Sequence, residues 1–382
     1  MGNRPQRRTG RGFSIVELMV SAVIGLIAVL AIFEVFTAFE GQKRTTTGGG
    51  DAQTNGTLAL FMLKRDVRQA GYGFASLNVL NCNVRAYNDQ RTPPEFTLTP
   101  MAPVVINPAG IPAGDANTDV IAITYGDTSG LGGGVSFHQQ SGASANYQVT
   151  NRSGFQVGEL VIATQPGLDC TVAQVTELPA SGSCGMGGGV GQTDVVIHNA
   201  GNFNDPYQNC SNVPSHWNKP GGLGVTYTEG TLFSLGRLPK SFAYAVRGGN
   251  LTVCDLLASD CTDAAKTGDT TVWLPIANNI VGLHAQYGRD TGGPPMTGVV
   301  DTYDQTTPTD ACGWARALVI RLAVVARSPQ WERAVVTTSP PSWSGGTFDL
   351  TGLTDWQHYR YRMFQTVSPL RNVIWMGAQG TC

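Results

Sequence analysis

The chain has 382 residues, of which 41% are hydrophobic and 14% are charged, and its formal net charge at pH 7 is −2. The hydrophobic fraction is large enough for a folded core, which excludes a disordered chain, and the small negative charge argues against a surface that binds nucleic acid. Glycine is abundant, with 48 residues, and this composition is typical of an exported, loop-rich β protein.

The N-terminal segment is basic and is followed by a long apolar run. The basic residues are Arg4, Arg7, Arg8 and Arg11. Residues 13–39 are mainly apolar and residues 18–33 carry no charge, so the run reaches the roughly 20 residues that are needed to cross a bilayer. The arginines predict a cytoplasmic N-terminus by the positive-inside rule. We therefore expect a transmembrane helix over residues 13–39, with the rest of the chain outside the cytoplasm.

Glu17 is an acidic residue within this apolar run. A carboxylate at such a position costs roughly 2–4 kcal/mol even on the lenient insertion scale. We therefore expect a cationic partner, without which Glu17 would tend to take up a proton. A cleaved secretory signal is the alternative interpretation, but the run exceeds the roughly 7–15 apolar residues of such signals. The nearest approach to a small-residue cleavage site is Phe36-Thr37-Ala38.

The sequence Gly12-Phe13-Ser14-Ile15-Val16-Glu17 resembles the processing site of type IV prepilins. The resemblance implies that residues 1–12 form a leader, that a prepilin peptidase cuts between Gly12 and Phe13, and that Phe13 is then N-methylated. Removal of the leader would change the formal charge from −2 to −6, because it contains four arginines and no acid. The resemblance also implies a role for Glu17 in assembly. The residues alone leave open whether Glu17 pairs with the Phe13 amine of its own subunit or of a neighbour, and the resemblance favours the neighbour.

Residues 40–75 are predicted to continue the helix as an amphipathic segment. Apolar residues recur at three- and four-residue spacing at Leu60, Leu63, Val67 and Ala70. Leu58, Phe61 and Met62 are expected to widen this stripe where the helix packs on a globular domain. Gly71 and Gly73 are expected to end the helix. The stretch 45–50, three threonines and three glycines, has poor helix propensity, and we interpret it as a weak point in the helix; a plain linker is the alternative.

Residues 76–382 are predicted to form a β-rich extracytoplasmic domain. Short β-branched or apolar runs bounded by turn residues predict strands at 119–125, 155–164, 193–198 and 231–235, and longer strands at 317–326 and 359–367. Residues 242–246 and 251–254 flank Arg247-Gly248-Gly249-Asn250, which is a hairpin signal. The glycine-rich stretches 130–134 and 185–191 are expected to be exposed loops. The predicted fold class is α+β, with a long N-terminal helix packed on an antiparallel β-rich domain that is large enough for two β lobes.

Eight cysteines predict disulfide bonds in an oxidising compartment. No pair has the C-x-x-C spacing of zinc or thioredoxin-like sites. We expect Cys254 to pair with Cys261 in a short loop, Cys170 to pair with Cys184, and Cys382 to pair with Cys312. The remaining candidates are Cys82 and Cys210. Free buried thiols are the alternative.

Two further segments resemble PilW-type minor pilins. They are Arg65-Asp66-Val67-Arg68-Gln69-Ala70-Gly71-Tyr72 and Tyr361-Arg362-Met363-Phe364-Gln365-Thr366-Val367-Ser368-Pro369-Leu370-Arg371-Asn372. The resemblance implies a structural minor pilin of a type IV pilus, which lies in the inner membrane before assembly and at the cell surface, near the pilus tip, afterwards. It implies other minor pilins, a major pilin and a tip adhesin as partners, and roles in priming assembly, twitching motility or cell adhesion. The alternatives are a type II secretion pseudopilin and a membrane-anchored binding module or hydrolase that does not polymerise.

Motifs of enzymes and metal sites are absent from the sequence. It contains no G-x-S-x-G, H-E-x-x-H or Walker motif, and the histidines are far apart, at His138, His198, His216, His284 and His358. Asp301, Asp304 and Asp310 offer oxygen ligands for calcium, but without EF-hand spacing, and solvated turns are the alternative. Five tryptophans near the C-terminus are expected to lie mostly in the core. We therefore expect no catalysis, no cofactor and no bound metal.

Overall fold

The computed structural model of the chain describes residues 12–98, 100–130, 133–140, 145–179, 184, 194–377 and 379–382. One long helix, α1 (Ile15–Gln69), is followed by a region made mainly of strands. Two compact units are distinguished, one ending at Asp51 and the other beginning at Ala52. The helix is continuous over residues 45–50, where the threonines and glycines suggested a weak point. The expected α+β fold class, with a long apolar N-terminal helix and antiparallel sheets after it, is confirmed.

In the part of the chain that the structure describes, twenty-one strands and two short helices follow α1. The strands of the first half are β1 (Val84–Tyr87), β2 (Glu95–Leu98), β3 (Val104–Ile106), β4 (Ile121–Tyr125), β5 (Val135–Gln140), β6 (Asn146–Val149), β7 (Leu160–Thr164), β8 (Cys170–Gln174), β9 (Val195–Ile197), β10 (Asn202–Asp205) and β11 (Ser211–Pro214). Those of the second half are β12 (Gly230–Gly236), β13 (Lys240–Arg247), β14 (Asn250–Asp255), β15 (Leu274–Ala277), β16 (Ile280–Arg289), β17 (Thr302–Asp304), β18 (Ala317–Arg327), β19 (Ser342–Trp343), β20 (Gly346–Thr347) and β21 (Tyr361–Pro369). The short helices are α2 (Ala311–Ala315) and α3 (Arg371–Ile374).

The end of α1 is a sharp turn at Gly71. Its φ of +82° favours glycine, and a Cβ there would lie 3.1 Å from the Pro103 ring. The Gly71 N–H donates to the Thr124 carbonyl over 2.9 Å, which connects the helix end to β4. The glycines at 71 and 73 therefore end the helix, as the sequence suggested.

Two antiparallel sheets share the largest hydrophobic core with the last part of α1. The five-stranded sheet has the order β15-β14-β13-β4-β3, and the four-stranded sheet has the order β17-β16-β18-β21. Core side chains come from both sheets and from the helix, for example Tyr244, Leu322 and Leu63. This arrangement places one face of residues 52–69 against the β-rich unit.

The eight-stranded sheet curls into a barrel. Its order is β2-β1-β8-β7-β12-β5-β6-β9. The strand at the end of this order, β9, also hydrogen-bonds to the residues that follow β8. The Thr176 N–H donates to the Ile197 carbonyl over 2.8 Å, and Glu177 forms a β-bridge with Ile197. Six strands, β8 to β9 in that order, thus enclose a second core, in which Phe137, Tyr147 and Tyr227 are among the largest side chains. We call the place where β9 meets residues 176–177 the seam of the barrel.

Four disulfide bonds cross-link the β-rich unit. Cys254 is bonded to Cys261 and Cys312 to Cys382, which are pairs that the sequence favoured. The expected pair Cys170–Cys184 is wrong, because Cys170 is bonded to Cys82 and Cys184 to Cys210. The reason is that β1 pairs with β8 in parallel, with Val84 opposite Cys170. Cys82, two residues before Val84, is thereby brought close to Cys170.

The predicted strands agree with the observed ones at most positions. The hairpin appears as β13 and β14, joined by Gly248 and Gly249 with positive φ, and the longer strands appear as β18 and β21. The ten-residue strand β16 was not predicted. Two glycines, Gly282 and Gly288, interrupt its apolar pattern. Residues 185–191 and parts of 130–134 lie outside the described residues, so the loop prediction is not addressed there.

Candidate functional site

The expected processing site lies at the start of α1. Residues 12–14 are not helical, and the helix begins at Ile15. The Ser14 hydroxyl accepts a hydrogen bond from the Val16 N–H over 3.3 Å, and the Ser14 carbonyl accepts one from the Leu18 N–H over 3.1 Å. Ser14 therefore occupies the N-cap position, and Glu17, three residues later, has the spacing of a capping box. The sequence S-x-x-E carried this signal, and our sequence reasoning missed it.

The three expected site residues, Gly12, Phe13 and Glu17, lie within six consecutive positions of the chain and are all exposed. The Phe13 side chain is 82% exposed, and a Cβ added at Gly12 would meet nothing within 4 Å. Glu17 forms no ion pair with any residue that the structure describes. Its position in the first turn is favourable for a negative charge, because the N-terminus of the helix carries a partial positive charge.

The first part of α1 presents an apolar surface that the chain itself does not cover. The most apolar 18-residue window of the helix has a mean hydropathy of 2.7, and none of it is buried. By length and composition this helix could cross a membrane, which fits a membrane-anchored protein. The hydroxyls of Ser21 and Thr37 donate to helix carbonyls four or three residues earlier, so they are satisfied within the helix.

Glu34 is a second acid in this part of the helix that the sequence reasoning did not consider. It lies 17 residues after Glu17, which corresponds to about 25 Å along the helix axis. That distance is close to the ~30 Å thickness of a bilayer's hydrocarbon core, so in a membrane-spanning helix Glu17 and Glu34 would lie near opposite ends of the span. Glu34 thus offers a matched comparison for Glu17: the same side chain on the same helix.

The last part of α1 packs on the sheets through small residues. The buried positions recur at three- and four-residue spacing, at Ala52, Gly56, Ala59, Leu63, Asp66, Val67 and Ala70. A Cβ at Gly56 would overlap the ring of Phe364 in β21, so any larger residue here would force that ring to shift. The expectation that Leu58 and Phe61 widen the stripe is wrong. They are 42% and 63% exposed, since 100° per residue carries them away from the buried face.

A buried carboxylate fastens this part of the helix to the five-stranded sheet. Asp66 is fully buried and accepts hydrogen bonds from the Tyr244 hydroxyl of β13, from Tyr125 of β4, and from Nε of Arg65 over 2.8 Å. Burial, and then the negative charge of Asp66, raise the pKa of Tyr125 to about 12 and also raise the pKa of Tyr244. The hydrogen bond to Asp66 raises the pKa of Arg65. In the sequence, Asp66 lies among charged residues between the apolar positions, so residue spacing alone does not mark it as buried.

The two segments that resemble PilW-type pilins meet at the end of α1. The Asn372 side-chain amide donates to the carbonyls of Gln69 and Ala70, over 2.9 Å and 3.0 Å. The Tyr72 hydroxyl donates to the Thr128 carbonyl over 2.9 Å. These residues therefore hold the helix end in place, and the motif's role here is structural.

The calcium candidates are not brought together. Asp304 pairs with Arg289 over 3.0 Å, Asp310 caps α2 at Gly313, and Asp301 accepts from Thr291. Among the described residues, no group of three or more His, Cys, Asp or Glu side chains could hold a metal ion.

The expectation that the five C-terminal tryptophans lie mostly in the core is met by three of them, of which Trp343 and Trp356 pack against a hydrophobic cluster. Trp314 is buried, whereas Trp331 and Trp375 are 44% and 77% exposed. Trp343 and Trp356 are intermediate.

Comparisons with known protein families agree with these observations. The model of the family described as type IV pilus-assembly protein W matches residues 243–372, which run from β13 into α3. The model described as the prokaryotic N-terminal methylation motif matches residues 7–33. No curated protein and no solved structure matches the chain significantly. Together, the two family matches support the interpretation of the chain as a PilW-like type IV pilin.

Proposed function

We propose that the chain is a non-enzymatic minor pilin that is cut between Gly12 and Phe13, N-methylated at Phe13, and inserted into a type IV pilus through α1. Before assembly it lies in the inner membrane with a cytoplasmic N-terminus. Its role is to prime assembly or to form part of the tip complex. Its partners are other minor pilins, a major pilin and a tip adhesin, with prepilin peptidase as the processing enzyme.

The observation that carries this proposal is the uncovered apolar surface of α1. Large side chains between Ile15 and Phe39 are 52–80% exposed in the single chain. Such a surface is not stable in water and must be covered by lipid or by other helices. The same surface therefore serves both stages, first in the membrane and then in a bundle of pilin helices.

Glu17 supplies specificity to that bundle. Cleavage creates a new amine at Phe13, four residues before Glu17, in an apolar environment where a charge without a partner is costly. Pairing of Glu17 with the Phe13 amine of a neighbouring subunit neutralises both groups and fixes the position of one helix along the other. Exposure of both residues in the single chain leaves them available for such a contact.

The test combines processing and incorporation. Full-length chains with Glu17→Gln or Glu34→Gln are expressed in the native host, and membranes and sheared filaments are analysed by intact mass and N-terminal peptide mapping. We expect the wild type and Glu34→Gln to begin at N-methyl-Phe13 and to enter filaments equally. We expect Glu17→Gln to fall at least tenfold in the filament fraction.

Several outcomes would contradict the proposal. A chain that begins at Met1, or after Ala38, and is absent from filaments would support a membrane-anchored domain that does not polymerise. Equal incorporation of Glu17→Gln and wild type would remove the assembly role of Glu17. Incorporation only into a secretion pseudopilus would favour the type II secretion alternative.

A further inference from the structure

A pocket lies beside the seam of the barrel, between β6, β8 and the residues that follow β9, and outside both ranges that match known families. Its volume is about 320 Å³, at the lower end of the usual range for small-ligand sites. The walls come from Tyr147 in β6, Thr171 and Ala173 in β8, His198 after β9, and the loop 217–226. Mouths of small barrels are among the usual places for ligands.

The loop that covers the pocket is held in place without a ligand. Asn218 is buried, its Oδ1 accepts from the Gln174 N–H over 2.8 Å, and its Nδ2 donates to the carbonyls of Gln174 and Asn199 over 2.8 Å and 2.9 Å. The Lys219 amine pairs with Glu95 over 2.8 Å. These contacts fix the start of the loop on β8 and β2, so the pocket is preformed, and a ligand would not have to order it.

One wall of the pocket contains an unsatisfied hydrogen-bonding atom. The His198 ring stacks on Tyr147 with 4.6 Å between ring centroids, and its Nε2 is buried without a hydrogen-bond partner among the described residues. Burial lowers the pKa of His198 to about 4, so the imidazole is neutral at pH 7. A buried polar atom without a partner costs about 1–3 kcal/mol, and a ligand hydroxyl would supply the missing hydrogen bond once a small shift of the ring opens Nε2 to the pocket.

The charges of the wall restrict the class of ligand. Among the described residues, no carboxylate lines the pocket, so a cation finds no partner there. The described lining contains one cationic side chain, Lys219, which is already paired with Glu95 and is therefore a poor partner for a phosphate or carboxylate ligand. The other groups that line the pocket are uncharged: the aromatic side chain of Trp217, and hydroxyl, imidazole and backbone groups.

We infer that this pocket binds a neutral sugar, whose pyranose ring lies against Trp217 while one of its hydroxyls hydrogen-bonds to Nε2 of His198. A pyranose ring presents C–H bonds on its faces and hydroxyls around its rim, so it matches an aromatic ring bordered by uncharged polar groups. The site is independent of whether the chain polymerises. It gives the barrel a function of its own, which is recognition of a carbohydrate.

The test measures sugar binding to the full-length chain by saturation-transfer NMR. The chain is kept in a detergent without a sugar head group, because alkyl glycosides would compete for the pocket. The probes are glucose, galactose, mannose and N-acetylglucosamine, with glucuronate and inorganic phosphate as charged comparisons. We expect at least one neutral sugar to bind with a Kd of about 0.1–10 mM.

Three substitutions report on the pocket and one serves as a matched control. Trp217→Ala removes the aromatic surface, His198→Phe keeps the stack on Tyr147 but removes Nε2, and Ala200→Trp fills the pocket from an exposed position. The control is Trp331→Ala, because Trp331 also stacks on a histidine, His358, at 5.2 Å, but does not line the pocket. We expect Trp217→Ala and Ala200→Trp to weaken binding at least tenfold, His198→Phe about fivefold or more, and Trp331→Ala less than twofold.

The inference is overturned if no neutral sugar binds, if glucuronate or phosphate binds more tightly than every neutral sugar, or if Trp331→Ala weakens binding as much as Trp217→Ala. Thermal unfolding of each variant accompanies the NMR. Because Ala200 is exposed, Ala200→Trp is expected to keep the wild-type unfolding temperature, and persistent sugar binding by that folded variant would also overturn the inference.

Discussion

The two parts of α1 belong to one continuous helix but differ in which side chains are buried. Residues 15–51 carry large apolar side chains that are exposed, whereas residues 52–69 bury small ones such as Ala52, Gly56 and Ala59. The apolar side chains of the first part can be buried only by lipid or by another protein chain. The second part has its partner in the chain already, and its small residues allow a close approach to the sheet. Burial in a helix of this kind follows from side-chain size and available partners rather than from hydrophobicity alone.

The largest effect is expected from removing the buried carboxylate that fastens the second part of α1 to the five-stranded sheet. In Asp66→Ala, the hydroxyls of Tyr125 and Tyr244 lose their acceptor and Arg65 loses its partner. Each buried hydroxyl that is left without an acceptor costs about 1–3 kcal/mol, so we expect the free energy of unfolding to fall by about 3–5 kcal/mol in total. The measurement is urea unfolding of the full chain in detergent, followed by near-ultraviolet circular dichroism. Asp51→Ala, at an exposed acid of the same helix, is the control, and a loss within about 0.5 kcal/mol is expected there.

A leucine in each part provides the next comparison. Leu63 is fully buried in the main core, whereas Leu30 is 60% exposed. Leu63→Ala removes buried methyl groups and leaves a cavity, so we expect a loss of about 3 kcal/mol in the same unfolding measurement. Leu30→Ala is expected to leave that value unchanged. An equal loss in both variants would show that the first part also contributes to the folded β-rich unit.

Alkaline pH should weaken the contact between the second part of α1 and the five-stranded sheet. The unfolded chain releases a tyrosine proton near pH 10, whereas burial and then Asp66 raise the pKa of Tyr125 to about 12 in the folded chain. Stability is therefore complete below pH 10 and is lost as the pH rises from 10 to 12, by up to about 2–3 kcal/mol for this group. Unfolding at pH 9 and pH 11.5 measures the loss. Tyr125→Phe should show a smaller decrease between these two pH values, and an unchanged decrease would refute this assignment.

The smallest changes in stability are expected when two glycines of α1, one in each part, are replaced by alanine. Gly56→Ala places a Cβ that overlaps the Phe364 ring, which must then shift, and we expect a loss of about 2 kcal/mol. Gly49→Ala meets nothing within 4 Å and should instead stabilise the helix by up to about 1 kcal/mol, because alanine has the higher helix propensity. Thermal unfolding monitored at 222 nm gives both values. The opposite signs are the test, and two losses of similar size would contradict it.

Strong local patterns made much of the fold predictable. The apolar run predicted the first part of α1, the Gly-Gly turn predicted the β13–β14 hairpin, and β-branched runs predicted β18 and β21. The short-loop disulfide Cys254–Cys261 follows from a separation of only seven residues. These features depend on residues that are close together in the sequence, and so the sequence alone is sufficient for them.

Long-range contacts explain what the sequence did not reveal. Asp66 looks like a surface residue until Tyr244, 178 residues away, is brought next to it. Cys82 meets Cys170 only because β1 pairs with β8 in parallel. The pocket beside His198 depends on the closure of the barrel at the seam, for which no local motif exists. In each case the partner is set by sheet topology, which residue spacing does not encode.

The Cys82–Cys170 bond also determines how the molecule responds to a pulling force. Cys82 comes only 13 residues after the last residue of α1, Gln69, so a force on the helix can draw out a chain of about 45 Å at most before it reaches this cross-link. Beyond that point the load passes through the sulfur atoms to β8. The intervening segment, closed by a bond between residues separated by 88 positions, is then shielded from extension. A subunit pulled through its helix would therefore keep β1 to β7 out of the line of force.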